Sequence, residues 1–138
     1  MATRLAQLII RLLLAANLLY AAFLLKFAGV PGAVALFTRM SHAFHGLVPQ
    51  PVFRLTSGSF ETTVAVLLLI PKTARLGAWL AVVWMTAVIL SHIFVLGYGW
   101  FFVDAVTVMV AAVTYLWLSR EGGVRCEGPN LMRRRWSC

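Results

Sequence analysis

The sequence predicts an all-α membrane protein: a four-transmembrane-helix bundle with a short amphipathic interfacial helix in its first outer loop. Three observations carry this. The 138 residues are 62% hydrophobic and only 12% charged, and the mean hydropathy is +0.89, whereas a soluble domain carries about 25% charged residues. Four apolar blocks stand in the chain, each close to the ~20 residues that cross a bilayer. Lysines and arginines bracket those blocks and are unequally shared between the two sides, as they are around membrane spans.

The first block, LAQLIIRLLLAANLLYAAFLL, gives a span over 5–26. It shares features with a signal peptide (Arg4, an apolar run, then small residues), but is expected to remain as a true span. The second span, 54–70, is the shortest and most polar, so its outer boundary is the hardest to place. The third covers 75–97 and the fourth 100–119. Apolar runs of this length are helical because lipid offers the backbone no hydrogen-bond partners.

Orientation follows from the basic residues. Arg4, Arg11, Lys72, Arg75, Arg120, Arg125, Arg133, Arg134 and Arg135 fall on one side, against Lys26, Arg39 and Arg54 on the other. The excess marks the cytoplasmic face, so both termini are expected inside. Tyr98 and Trp100 suit the outer interfacial belt, and Tyr115 and Trp117 the inner one. The net charge of +8 does not indicate nucleic-acid binding, because the arginines flank apolar blocks and form no basic stripe with exposed aromatics.

The first outer connection is too long to be structureless. Val34, Phe37, Met40, Ala43 and Phe44 recur at helical spacing among Arg39, Ser41, His42 and His45. That pattern predicts an amphipathic helix over about 32–46, lying in the interface. Pro49 and Pro51 then turn the chain back towards the bilayer. Residues 120–138 read as a cytoplasmic basic tail, whose arginines could meet anionic lipid. Its Cys126 and Cys138 are neither a CxxC pair nor near a histidine, and read as free thiols.

The ionisable residues inside the spans converge in depth. At ~1.5 Å per residue, Glu61 lies roughly 10 Å in from Arg54, while His92 and Asp104 lie roughly 7 to 8 Å from the short link between the third and fourth spans. Lys26 ends the first span at the same level. Such groups face the bundle interior and pair, since a charge in lipid costs about 2.5 to 3.5 kcal/mol on insertion scales. Gly58, Glu61 and Ala65 share one helical stripe, and Asp104, Thr107, Ala111 and Thr114 another. Two readings stand side by side: a polar lock between helices, or a pocket open to the outer face in which Glu61 and His92 handle protons or bond a ligand, tuned by Lys26 and Arg54.

His42 and His45, three apart, can share one face of the interface helix, and with His92 could ligate a metal or haem iron. Interfacial histidines bonded to water or headgroups are the plainer reading. Asn17, mid-span, reads as interhelical glue. Trp79, Trp84, Met85 and Met109 read as packing rather than as a cofactor box. There is no phosphate loop, GxSxG, HExxH or internal repeat, and no pair of short broken helices of the kind found in transporters.

LLKFAGVPG after the first span, SGSFE early in the second, LLLIPKTARLGAWLA between second and third, and SHIFVLG closing the third resemble the DoxX family of small four-helix bacterial and archaeal membrane proteins. The resemblance runs over about 12–118. It implies a place beside membrane redox enzymes, as with the founding members, small subunits of a thiosulfate:quinone oxidoreductase. It carries over to Lys26, Pro31, Gly32, Glu61, Arg75 and His92. The HAFH stretch and the Cys- and Arg-bearing tail depart from that pattern.

The function expected from these observations is that of a small integral subunit or accessory protein of a quinone-linked redox complex in the bacterial inner membrane, with a quinone as the expected ligand. The alternatives are a structural subunit whose lipid-facing Trp79, Phe101 and Phe102 bind a larger protein, or a small-solute or lipid-binding membrane protein.

Overall fold

In the computed structural model, residues 2–124 are described, with side chains for 3–120. The basic tail beyond them, with Cys126, Cys138 and most of its arginines, lies outside the described residues. All regular structure among the described residues is helical. Helix α1 spans Ala2–Tyr20 and runs on as a π-helical segment, Ala21–Phe27. Helix α2 is Pro31–Ala43, α3 is Gln50–Leu69, α4 is Ala74–Ser91 with a π-helical extension His92–Leu96, and α5 is Trp100–Val124.

Local chemistry explains the boundaries. Pro31 sits in the first turn of α2, where its missing N–H costs nothing. That helix stops at Ala43 because His45 (φ 52°) and Gly46 (φ 75°) turn left-handed. The expected helix to residue 46 is therefore too long, and His45 lies beyond its end. Ile70 leaves α3 in an extended conformation, as a residue preceding a proline must. The Thr73 hydroxyl donates to Leu67 O at 2.9 Å, satisfying a carbonyl that the helix end leaves open.

Four helices are long and apolar enough to cross a membrane: Thr3–Phe27, Gln50–Leu69, Ala74–Leu96 and Trp100–Arg120. They pack as a ring in the order α1, α3, α4, α5 and back to α1, while α2 packs on α3 and on the π segments. Small residues occupy the crossings: Ala15, Ala65, Ala74, Ala78, Ala81, Ala105 and Ala112 are all buried. At Gly77 a Cβ would stand 2.9 Å from Leu68 N, so only glycine lets α3 and α4 approach this closely. Large apolar side chains point outwards instead, Leu13 at 66% exposure and Phe94 at 79%. Lipid, rather than water, suits that surface.

Two assignments on α5 need correction. On α5 the buried face is Ala105, Val108, Ala112 and Tyr115, one position round from the expected Asp104, Thr107, Ala111 and Thr114. Thr107 and Thr114 are exposed and donate to Val103 O and Val110 O of their own helix, so their hydroxyls are satisfied without a neighbour. Tyr115 is buried in the core instead of lying in an interfacial belt.

Candidate functional site

The α2 end of the ring is not filled. A cavity of about 380 Å³ lies between α2 and the four long helices, within the ~300–1,000 Å³ range typical of ligand sites. Its walls are mainly apolar. Leu18, Ala21 and Leu25 come from the first helix, Leu36, Phe37 and Met40 from α2, Met85 and Val88 from α4, and Phe101 and Ala105 from α5. Set into them are Lys26, Glu61, His92 and Asp104, one ionisable group from each long helix, together with Asn17, Ser57 and Trp84. The four groups that share a depth in the sequence thus share one cavity.

The polar contacts are specific. Lys26 Nζ donates to Glu61 Oε1 in an ion pair between α1 and α3. The same oxygen accepts from Trp84 Nε1 on α4 at 3.1 Å. Asn17 Nδ2 on α1 donates to Asp104 Oδ1 on α5 at 3.0 Å. His92 Nδ1 bonds Val88 O at 2.9 Å, one turn back along α4. Because a carbonyl only accepts, Nδ1 carries the ring hydrogen, and Nε2 of the neutral imidazole is left as an acceptor. Glu61 and His92 are 3% and 4% exposed, and Glu61 Oε2 and His92 Nε2 are both buried with no partner.

Lys26 and His92 both ride on π-helical turns. Gly97 N bonds His92 O at 2.7 Å and Ala28 N bonds Phe23 O at 2.9 Å, each five residues apart. Such wide turns are common at functional sites, because they re-aim side chains and free backbone carbonyls. The Lys26 carbonyl is open because the helix ends at Phe27, and it accepts from Arg54 Nη1. Arg54 does not line the cavity. It sits against Gly29, whose φ of 68° and lack of a Cβ make room for the guanidinium. Its visible role is to hold the end of the first span in place.

Gly58 explains the approach of α1 to α3: a Cβ there would stand 3.1 Å from the Phe27 ring and 3.3 Å from Lys26 Cβ. This glycine brings the ammonium to the carboxylate. The expected Gly58–Glu61–Ala65 stripe is buried as one face.

His42 and His45 are exposed and away from the cavity. Since α2 ends before His45, the two do not share a helical face. Among the described residues no group of three His, Cys, Asp or Glu side chains is placed to hold a metal ion.

Two residues need reassignment. Trp84, read as packing, is a hydrogen-bond donor to the buried carboxylate and stacks at 4.5 Å on Phe60. Phe101, read as lipid-facing, lines the cavity, whereas Trp79 remains exposed. Asn17 is the interhelical bond expected of it, and also a cavity wall. Trp84 is an indole within the third span, a residue type that fits packing or hydrogen bonding alike, and its direction depends on how α4 is rotated. Leu36, His92, Leu96 and Phe101 also border a second cavity of about 270 Å³, which reaches exposed Arg39, Tyr98 and Gly99.

The chain matches no protein-family model, no curated protein and no solved structure.

Proposed function

We propose that this chain is a small integral membrane subunit or accessory protein of a quinone-linked redox complex, a DoxX-like protein of the bacterial inner membrane with both termini cytoplasmic. The observation that carries the reading is the cavity: mostly apolar walls that suit an isoprenoid or alkyl tail, and an ionisable cluster of Lys26, Glu61, His92 and Asp104 that suits a polar ring. A quinone head needs hydrogen-bond partners and a proton route when its redox state changes, and buried ionisable groups at a cavity provide both. Lys26 offsets the Glu61 charge. Helix α2 is then the interfacial helix that covers the site from the outer face.

The test is made on the assembled complex, purified with its native partners and assayed for bound quinone. Glu61→Gln, which still accepts from Lys26, and His92→Ala are expected to abolish quinone-linked turnover while the protein remains inserted. Normal turnover in both variants removes the cavity from the mechanism. A second reading is favoured by the bonds from Lys26 to Glu61 and Asn17 to Asp104, which tie α1 to α3 and α5. In a purely structural subunit these are locks, and the same variants lower yield or assembly instead of turnover.

A further inference from the structure

The polar atoms buried in the cavity wall are unevenly satisfied. Several of its donors are committed: Trp84 N–H to Glu61, one Asn17 N–H to Asp104, the Thr56 hydroxyl to Val52 O at 2.7 Å and the Ser91 hydroxyl to Ala87 O at 2.8 Å, whereas the Ser57 hydroxyl and the remaining Lys26 N–H groups stay available. The two buried polar atoms in its wall with no partner, His92 Nε2 and Glu61 Oε2, are both acceptors. A buried acceptor left without a donor is costly, and a charged one more so. From this we infer that the cavity takes a ligand whose polar head donates hydrogen bonds, a hydroxyl-bearing ring such as a hydroquinone or an alkylphenol, in preference to a head bearing carbonyls alone.

The inference rests on the cavity being the ligand site proposed above, and adds which form of the head it holds. A carbonyl oxygen set against the bare imidazole nitrogen or the free carboxylate oxygen brings lone pair against lone pair. A ring hydroxyl reverses this. Its hydrogen can satisfy His92 Nε2, or make a charge-assisted bond to Glu61 Oε2 while its own oxygen accepts from the remaining N–H groups of Lys26, which already sits on that carboxylate. One hydroxyl thereby uses both kinds of group in the cavity, which a carbonyl cannot do. The apolar walls from α2 and α4 then take the alkyl portion.

The experiment uses the full chain in detergent micelles and three probes with the same hexyl tail: 4-hexylresorcinol, its dimethyl ether and hexyl-1,4-benzoquinone. Binding is measured by titration calorimetry. The resorcinol is expected to bind about tenfold or more tightly than the other two, the scale set by one satisfied buried acceptor. In the wild-type protein, the 15N resonance of His92 Nε2 should shift with the resorcinol and stay put with the ether. His92→Phe, which keeps a ring in the site, should narrow the gap between resorcinol and ether several-fold through loss of resorcinol binding. Equal or tighter binding of the quinone or the ether, with the cavity still occupied, overturns the donor preference and leaves the ligand site standing. Failure of all three probes to bind overturns both.

Discussion

The two ends of the bundle are built on opposite rules. Away from α2, the helices close on Leu14, Leu68, Ala74, Ala78, Ala112 and Tyr115, and at Gly77 the α3 backbone leaves no room for even a methyl group. At the α2 end the same four helices hold a cavity, an ion pair and two acceptors with no partner. The first end gains stability from close contact of small residues. The second gives up close packing and keeps charged groups out of water, which natural proteins do chiefly where a site is needed. The two π-helical segments both lie at this second end. The tight end is the clamp, and the other end keeps its cavity.

Breaking the polar end should have the largest effect. Lys26→Ala leaves Glu61 as a buried charge without its cation and is expected to cost about 3–5 kcal/mol. The loss should be read by denaturant unfolding in micelles, and Lys26→Met with Glu61→Met should recover much of it. If Lys26→Ala unfolds like the wild type, the ion pair does not hold this end together. Overpacking the tight end comes next. Gly77→Val forces α3 from α4 and should cost about 2 kcal/mol or more. Unlike Lys26→Ala, it should leave probe affinity at the cavity little changed in the folded fraction. An equal loss of binding would mean that the two ends are not separable.

Smaller changes sharpen the contrast. Trp84→Phe keeps the ring on Phe60 but removes the N–H from Glu61, and about 1–2 kcal/mol should be lost, measured by the same unfolding assay. A double-mutant cycle on Asn17→Leu and Asp104→Leu should give a coupling of about 0.6 kcal/mol, the usual size for interhelical bonds in membranes. Thr114→Val, on the outer face with its hydroxyl bonded to its own helix, should change stability by less than ~0.5 kcal/mol. A larger effect at Thr114 would show that this face meets another protein.

Much of the site was legible before the fold. Lys26, Glu61, His92 and Asp104 stand out because charge in an apolar block is costly wherever it faces lipid, and counting rise per residue places them at one depth. That count ignores rotation, and the four groups do line one cavity. The stripe on α5 does not survive, because one position round is 100° of rotation and the threonines on it can satisfy themselves locally. Trp84 and Phe101 were assigned to packing and lipid for the same reason. Their residue types fit both environments, and only the neighbouring helices distinguish them.

What composition and order of residues settle here is the number of helices and which charges lie within them, since transfer free energy acts residue by residue; the start of α3 at Gln50 in place of 54 shows that the ends are less fixed. Which oxygen of Glu61 is occupied, which nitrogen of His92 is bare, and the existence of the cavity between them arise from how the helices are rotated and spaced. Those quantities are set jointly by Gly58, Gly77, the π-helical turns and α2, and so belong to no single stretch of the chain.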